Sequence, residues 1–528
     1  MPEDQCSSFG HFDSLKSSRY TSTILKVALF ATGLAGIVAE YTLSTLATYF
    51  LGDSVFQWTM IVSMMLFSMG LGSRLSKRIE NRLLEKFVWI EFALSLIASN
   101  VTILVYTFYA IYGYTTFIIY LLSVLVGLLI GMEIPLVVRL NEQYQNLKVN
   151  ISSALENDYF GSLAGGVFFA FLGLPYLGLT YTPLILGLIN FIVAFSLVGV
   201  IWSEIEQKIR KRMIVFSVIV LSILTLSGFS ARHIVSWGDR IRYIDPIIYS
   251  EQSRYQKIVL TYSNGDYWLF LNGHQQLSTF DEALYHEPLV HPVVLLHNNP
   301  KHVLILGGGD GAAARELLKY EAIESITLVD LDPSVTRLAQ THPVLMNING
   351  RSLSDERVSV VNQDGFAFLE ETEKRFDIII ADFPDPRTVD LGRLYAKEFY
   401  WLCSKALHED GMLITQAGSP YYAQRAYECI QKTIEAAGFY TLPLHNHVLT
   451  LGEWGWVIGS KEERDLKSDL LGSTIGSLDT EWLTDASLPG LVSFGKEVFQ
   501  VEGDPVQVNQ IHNPVLYKYY LNGRWDLY

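Results

Sequence analysis

Seven long apolar segments in the first half of the chain limit the possible fold more than any other feature of the sequence. A helix needs roughly 20 apolar residues to cross the hydrocarbon core of a bilayer, and each segment is near or above that length. The segments lie at about 24–50, 55–73, 87–112, 115–138, 159–178, 182–202 and 213–231. We therefore predict an N-terminal all-α, multi-pass domain of about seven helices at 24–231 in the plasma membrane. A disordered polar leader, 1–23, is expected to precede it.

The composition indicates that this membrane part is joined to a soluble part. Hydrophobic residues make up 50% of the 528 residues, and charged residues make up 18%, below the roughly 25% that is typical of soluble proteins. The net charge of −15 disfavours nucleic acid as a partner and suits a cationic ligand. Three cysteines without paired spacing predict neither a disulfide framework nor a zinc site.

Basic residues occur on alternate loops of the apolar region. The first segment is preceded by Lys16, Arg19 and Lys26, and the second is followed by Arg74, Lys77, Arg78, Arg82 and Lys86. The fourth is followed by Arg139 and Lys148, and the sixth by Lys208, Arg210, Lys211 and Arg212. Because basic loops tend to stay in the cytoplasm, this pattern puts the N-terminus inside the cell. Seven spans would then put the chain after residue 231 outside.

Three acids lie in the apolar segments or at their edges, namely Glu40, Glu133 and Asp158. Burying an acid in a membrane is costly, so each is a candidate functional residue. Glu133 lies between Gly131 and Pro135, which can open a helix for a polar site. The alternative is a structural acid that pairs with a loop arginine or lies at the interface.

The soluble part begins with a small β-rich region at 240–298. The runs 255–260 and 267–271 are rich in Tyr, Ile, Val and Leu, and Asn264-Gly265 between them is typical of a hairpin turn. We therefore predict a small antiparallel domain, followed by a helix from about 281 to 296.

A glycine cluster near the start of the next part, 299–460, predicts a nucleoside-binding turn. The apolar run 303–306 enters the cluster, a helix-like segment follows, and a second apolar run ends at Asp330. The glycines are Gly307, Gly308, Gly309 and Gly311. This arrangement is typical of a Rossmann-like, doubly wound α/β sheet, in which the acid after the second strand holds a ribose.

Further acids at strand ends indicate the charge of the ligand. Asp330, Asp364 and Asp382 follow successive predicted strands, and ligands of open α/β sheets bind at that edge. Asp310 in the glycine turn would repel a pyrophosphate, which favours a positively charged adenosine compound such as a sulfonium over NAD, FAD or ATP. The last part, 461–528, has weak patterning, and the sequence predicts no role for this tail.

Several motifs in order carry a family resemblance over roughly 243–460. They are Tyr255-Gln256, Leu271-Asn272-Gly273 through Gln276, Asp281-Glu282, Tyr285-His286-Glu287, Gly307–Gly311, Asp330 with Asp332, Asp364-Gly365, and Asp382 through Asp385-Pro386. Together they resemble the spermidine synthases, or polyamine aminopropyltransferases. The apolar segments ahead of them are similar to the membrane-spanning bacterial branch of that family.

The resemblance implies a reaction and its substrates. Decarboxylated S-adenosylmethionine is the expected donor, putrescine or a similar diamine the acceptor, and spermidine and 5′-methylthioadenosine the products. No metal or further cofactor is expected, because the leaving thioether is neutral and already activated. The resemblance also suggests a homodimer formed through the soluble domain.

The resemblance also assigns residues to the donor. The acid matching Asp330 holds the ribose, and the motif matching Asp364-Gly365 faces the adenine amine. Gln256 lines the thioadenosine site, and Asp310 binds the aminopropyl ammonium group of the donor.

Other residues are assigned to the acceptor and to catalysis. His286 and Asp385 match positions that line the polyamine channel, Tyr285 is assigned to substrate binding, and Asp382 matches the catalytic base. An ammonium has no free lone pair, so the attacking nitrogen must lose a proton, which Asp382 can take or relay. A tyrosine motif found late in many soluble relatives is absent, and Glu453 in its region is a candidate for binding the distal ammonium of the acceptor.

Two other functions remain open at this stage. One is an S-adenosylmethionine-dependent methyltransferase with the same fold. The other is a membrane polyamine transporter or sensor whose soluble part only binds. The side of the membrane is also in conflict, because the basic loops predict an external soluble domain whereas the donor is cytoplasmic. We favour a cytoplasmic catalytic domain, with a re-entrant segment at 24–50 that contains Glu40.

Overall fold

The structure is a computed structural model that describes residues 7–52, 54–142, 146–200, 202, 205–496, 498 and 504–525, with side chains from Ser22 onward. The chain divides into two compact units, Met1–Asp245 and Pro246–Tyr528. We refer to them as the helical unit and the soluble unit. The boundary falls after the predicted start at 240, because the last helix of the first unit continues to Arg242.

The described part of the helical unit contains eight α-helices. They are α1 Ser7–Leu51, α2 Ser54–Ser76, α3 Leu83–Ser99, α4 Val101–Tyr112, α5 Thr116–Asn141, α6 Leu147–Phe168, α7 Gly178–Val200 and α8 Gln207–Arg242. A π-helical segment, Phe169–Leu177, connects α6 to α7. Because α1 begins at Ser7, the predicted leader is helical from that residue and the expectation of disorder there is wrong; residues 1–6 lie outside the described part.

Glycines let these helices approach closely. A Cβ added at Gly131 of α5 would lie 2.0 Å from the carbonyl oxygen of Met69 in α2. A Cβ at Gly161 of α6 would lie 2.1 Å from the carbonyl oxygen of Phe30 in α1. Any larger residue at either position would force the backbones apart, as in other tightly packed apolar helix pairs.

The predicted number of seven spans is wrong for the described residues. Five stretches are long and apolar enough to cross a membrane, or six when α3 and α4, which meet at 54°, are counted as one span. The predicted segments 159–178 and 182–202 both fall in one stretch, Leu147–Val200. The sequence separated these two segments at 179–181, but the π-helical segment leads directly into α7, which begins at Gly178.

The soluble unit begins with a four-stranded antiparallel sheet in the order β1-β2-β3-β4. Its strands are β1 Ile247–Gln252, β2 Lys257–Ser263, β3 Asp266–Leu271 and β4 His274–Ser278. Asn264 and Gly265, both with positive φ, connect β2 to β3, which confirms the predicted hairpin.

A seven-stranded sheet forms the centre of the soluble unit, in the order β10-β11-β9-β8-β5-β6-β7. Its strands are β5 His302–Gly307, β6 Ser325–Asp330, β7 Val358–Asn362, β8 Phe376–Asp382, β9 Leu407–Gly418, β10 Tyr440–Val448 and β11 Gly452–Ser460. The first five are parallel to one another, and β11 is antiparallel to both β9 and β10. This arrangement confirms the Rossmann-like α/β prediction.

Helices cover both faces of the large sheet. They are α9 Ala283–Leu296, α10 Ala312–Leu318, α11 Pro333–Thr341, α12 Pro343–Ile348, α13 Gly365–Glu371, α14 Val389–Gly392, α15 Lys397–Ala406, α16 Gln424–Ala436, α17 Leu466–Leu471 and α18 Leu516–Leu521, with 3₁₀ turns at Ser352–Ser354, Arg393–Tyr395 and Leu488–Val492. Two of the apolar cores of the unit include residues of the tail, Leu470 in one and Leu516 in the other. The described part of the tail 461–528 therefore belongs to the packed unit.

Candidate active site

The glycine turn brings the ends of three strands together. Gly307 ends β5 with φ +83°, and a Cβ there would lie 2.0 Å from the carbonyl oxygen of Asp382 at the end of β8. The Gly309 N–H donates to Asp330 Oδ2 at 3.1 Å, and the Asp332 N–H donates to Asp330 Oδ1 at 2.8 Å. Burial raises the pKa of Asp330 to about 6. The turn thus depends on glycine both for its backbone angles and for its closeness to two acids.

Asp382 and Tyr285 form the centre of the site. The Tyr285 hydroxyl on α9 donates to Asp382 Oδ1 at 2.7 Å. Burial raises the pKa of Asp382 to about 6, although the charge of His286 and the hydrogen bond from Tyr285 act in the opposite direction. A carboxylate with this pKa is ionised at neutral pH and can accept a proton from a bound ammonium group.

His286 is held as a cation beside Asp382. Its Nδ1 lies 2.8 Å from Glu282 Oε2, and its Nε2 lies 4.0 Å from Asp310 Oδ1. Burial opposes the charged imidazole, but Glu282 outweighs that effect and raises the pKa of His286 to about 9. His286 therefore carries a proton at neutral pH and offsets part of the negative charge around Asp382.

Glu282 is itself fixed by Arg315 of α10. The guanidinium donates to both Glu282 oxygens, at 2.7 Å and 3.0 Å. Burial would raise the pKa of Glu282, but the hydrogen bonds and charges of His286 and Arg315 lower it to about 2. This chain from Arg315 through Glu282 orients the imidazole of His286 toward Asp310.

We call Asp310, Asp330 and Asp382 the sheet-edge acids. Metal-ligating atoms of Asp310, Asp382 and His286 all lie within 4.8 Å of one another, a geometry that can hold a metal ion. The same set of an imidazole and two carboxylates can also receive ammonium groups, which are hydrogen-bond donors only. The charge balance therefore suits a cationic ligand, as the sequence predicted.

Asp385 lies in the loop after β8 and contacts the tail. Its Oδ2 accepts a hydrogen bond from the Tyr520 hydroxyl at 2.6 Å and pairs with Arg387 at 3.0 Å. Tyr395 donates to the carbonyl of Pro384 at 3.0 Å and thereby fixes the same loop. The tail, for which the sequence predicted no role, thus contributes a side chain next to a predicted acceptor residue.

Gln256 is connected to the glycine-turn side of the site by a hydrogen bond to Asp332. Its Nε2 donates to Asp332 Oδ2 at 3.1 Å, and Ser253 Oγ donates to the same oxygen at 2.6 Å. Asp332 Oδ1 accepts from the Ser334 N–H at 3.0 Å and caps α11. The small sheet is joined in this way to the edge of the large one.

Asp364 and Gly365 lie at the same sheet edge but belong to a separate set of contacts. Asp364 caps α13 by accepting from the Phe366 and Ala367 N–H groups, each at 3.1 Å, and its other oxygen pairs with Arg393. Gly365 begins α13, and a Cβ there would meet the Phe383 ring at 3.8 Å.

Glu453 lies on β11 and has two histidine neighbours. Its carboxylate lies 3.2 Å from His445 Nδ1 and 3.4 Å from His447 Nδ1, both on β10. Among the described residues, the polar contacts of the Glu453 carboxylate are with these histidines and do not include the sheet-edge acids. Its assignment to the distal ammonium stays a prediction.

Sequence reasoning missed two kinds of contact. Glu282 precedes His286 by four residues, a spacing that puts both on one helix face, so this pair was accessible to prediction. The contact between Tyr520 and Asp385 joins residues 135 positions apart, and no local pattern indicates it.

The chain is similar to several known proteins. The family described as spermine/spermidine synthase domain matches residues 282–469. The chain is similar to the polyamine aminopropyltransferase of Leptospira interrogans, 38% identical over 94% of this chain and 98% of the relative. It is 43% identical to polyamine aminopropyltransferase 2 of Aquifex aeolicus, over 94% of this chain and 98% of the relative. The spermidine synthase structure from Thermotoga maritima is 28% identical, with a TM-score of 0.44 over 48% of this chain and 88% of that chain.

Proposed function

Because this chain belongs to the polyamine aminopropyltransferase family and is a transferase, we propose that Asp382 is the base in aminopropyl transfer. The donor is decarboxylated S-adenosylmethionine, and the acceptor is putrescine or a similar amine. The acceptor nitrogen forms a bond to the propyl carbon next to the sulfonium. The C–S bond breaks, its electron pair goes to sulfur, and neutral 5′-methylthioadenosine leaves.

The pairing of Asp382 with Tyr285 is the observation that carries this proposal. The attacking nitrogen must lose one proton, and Asp382 at the end of β8 receives or relays it. The Tyr285 hydroxyl, 2.7 Å from Asp382 Oδ1, holds the carboxylate in one orientation. An oriented base aligns the nitrogen with the leaving sulfur and so lowers the entropic part of the barrier.

The donor is proposed to lie along the glycine turn. Asp310 receives the ammonium of its aminopropyl arm, and Asp330 receives the ribose hydroxyls. Asp364-Gly365 faces the adenine, and Gln256 lines the thioadenosine site from the small sheet. Asp310, Asp330 and Asp364 lie at or just after the ends of β5, β6 and β7 at one edge of the sheet, which supports the proposal, since ligands bind at that edge in open α/β folds.

The acceptor is proposed to enter between α9 and the loop after β8. His286 lies beside the path, Asp385 holds one ammonium, and Glu453 takes a distal one. His286 is cationic, so it limits how many ammonium groups the pocket binds near Asp382. We propose that the reaction uses no metal, because the sulfonium leaves as a neutral thioether without Lewis-acid assistance.

A product assay tests the function. Purified protein with decarboxylated S-adenosylmethionine and putrescine is expected to form spermidine and 5′-methylthioadenosine in equal amounts. Turnover of S-adenosylmethionine to a methylated product would favour the methyltransferase alternative. Binding of both substrates without any turnover would favour the sensor or transporter alternative.

We also propose that the helical unit lies in the plasma membrane and that the soluble unit is cytoplasmic and dimeric. Six spans would return the chain to the side of the N-terminus, which supports this orientation. The basic residues at 208–212 oppose it, since they would then lie outside. Reporter fusions after residue 245 test the orientation, and light scattering of the detergent-solubilised chain tests the dimer.

A further inference from the structure

Four helices of the helical unit bring three acids together in its interior. Glu91 of α3 and Glu133 of α5 are 0% exposed, and Asp158 of α6 is 6% exposed. The charges of Glu91 and Asp158 both act on Glu133, and Thr32 of α1 lies beside Glu133. Thr32 Oγ1 also lies 3.4 Å from Glu91 Oε1. We call Glu91, Glu133 and Asp158 the interhelical acids.

Asp158 is fixed against α1 next to Thr32. A Cβ added at Gly33 would lie 2.2 Å from the Asp158 carbonyl oxygen and 3.1 Å from its Oδ1. Only a glycine at position 33 leaves room for this approach. Asp158 therefore lies next to the Thr32 position on α1, and Thr32 in turn contacts Glu91.

The interhelical acids have no cationic partner among the described side chains. In the part of the chain that the structure describes, no Lys, Arg or His nitrogen lies within 4.0 Å of their carboxylate oxygens. Both oxygens of Glu133 and Oε2 of Glu91 are buried without a hydrogen-bond partner. The alternative of a structural pair with a loop arginine is thus unsupported for these residues, and ionised carboxylates left in this state are costly.

An uncharged side chain gives a second indication of a ligand. Asn190 of α7 is 0% exposed, and neither atom of its amide has a partner in the described structure. Ser95 of α3 donates to the Gly187 carbonyl of α7 at 2.6 Å, and the ring centroids of Phe92 and Phe191 on the same two helices lie 5.8 Å apart, so α3 and α7 run antiparallel. Asn190 lies about one turn after Gly187 on α7, and Glu91 lies about one turn before Ser95 on α3. Because the two helices are antiparallel, Asn190 and Glu91 lie at the same level.

We propose that the interhelical acids, with Thr32 and Asn190, form a binding site for a small monovalent cation. The ligands are carboxylate, hydroxyl and amide oxygens, which suit an alkali ion. They equally suit a primary ammonium group, whose three N–H donors match acceptors from three helices. An alkali ion and a primary ammonium group share the same chemistry, because each carries one positive charge and binds oxygen atoms. The site is separate from the sheet-edge acids and does not depend on the proposed transferase mechanism.

Thermal unfolding of the full-length detergent-solubilised protein tests the site. Choline chloride, which has no N–H group, is replaced at constant ionic strength by sodium chloride or by methylammonium chloride. At least one of the two cations is expected to raise the unfolding midpoint by roughly 3 °C, since a ligand that binds only the folded state stabilises it. A response to sodium identifies an alkali-ion site, and a response to methylammonium alone identifies an ammonium site.

Matched variants separate this site from others. Glu133→Gln is expected to fold as well as wild type in choline, because it removes an unpaired buried charge, and to weaken cation binding at least tenfold. Glu91→Gln, a change on α3, should likewise fold as well as wild type in choline and weaken cation binding at least tenfold. Glu156→Gln, an exposed acid of α6, and Asp382→Asn should keep the full response. Equal midpoints in all three salts, or an undiminished response in both Glu133→Gln and Glu91→Gln, would overturn the proposal.

Discussion

The sheet-edge acids and the interhelical acids are both groups of three carboxylates, but their surroundings differ. The sheet-edge acids have the cationic His286 beside them, and backbone N–H groups bind both oxygens of Asp330. The interhelical acids have no such cation among the described side chains, and Glu133 lacks any hydrogen-bond partner. The first group is partly balanced and can move a proton, whereas the second needs a charge from outside the chain.

The largest expected effect comes from the base at the sheet edge. Asp382→Asn should lower kcat of aminopropyl transfer by roughly 1,000-fold, since a positioned base contributes about 10² to 10⁴ in rate. Steady-state assay of spermidine formation measures it. Asp410→Asn, whose side chain is 61% exposed, is the control and should retain the wild-type rate. A fall of less than tenfold in folded Asp382→Asn would show that another group removes the proton.

A second variant tests whether charge balance holds the sheet-edge acids in place. Glu282→Gln leaves the Arg315 guanidinium and the His286 imidazole without their shared carboxylate. Breaking a buried ion pair on one side costs roughly 3–5 kcal/mol, so the free energy of unfolding should fall by about that much. Denaturant titration of the full chain measures the change.

The matched control for Glu282→Gln is Glu251→Gln. Glu251 pairs with Arg337 at 2.8 Å, where the arginine is 57% exposed. Exposed pairs contribute at most about 1 kcal/mol, so the control should lose no more than that. Equal losses in the two variants would remove the distinction between a buried, balanced cluster and a surface pair.

A smaller effect is expected at the acceptor end of the site. Tyr520→Phe removes the hydrogen bond to Asp385 and should raise KM for putrescine about fivefold, the equivalent of one hydrogen bond of roughly 1 kcal/mol. KM for the sulfonium donor and kcat should change little. Tyr519→Phe, which loses a hydroxyl one residue away, is the control. A change in donor KM of the same size would assign Tyr520 a general structural role.

The sequence indicated the soluble fold and several of the residues that meet at the sheet edge, because their signals are local. The glycine turn, the acid at the end of β6 and the hairpin at Asn264-Gly265 each depend on neighbouring residues, and each has the predicted structure. Glu282 and His286 are also close in sequence. The contact of Tyr520 with Asp385 depends on how the tail packs, which no short pattern encodes.

The helical unit was less predictable for a physical reason. Apolar runs reveal that helices exist, but they do not show where one ends and the next begins. The sequence separated the segments 159–178 and 182–202, yet residues 179–181 lie within α7. The partners of Glu133 depend on which helix faces meet, so the sequence marked this acid as a candidate functional residue without revealing Glu91 or Asn190.

The pH dependence of transfer tests the central claim, that burial and Tyr285 together set Asp382 as the base. Its pKa of about 6 predicts that kcat/KM for the donor is low in acid and rises as pH passes through about 6, because the carboxyl must first lose its proton. Tyr285→Phe removes a hydrogen bond that favours the carboxylate, so the inflection should move to higher pH. An inflection that stays in place in Tyr285→Phe, or none between about pH 5 and 8, would contradict the account.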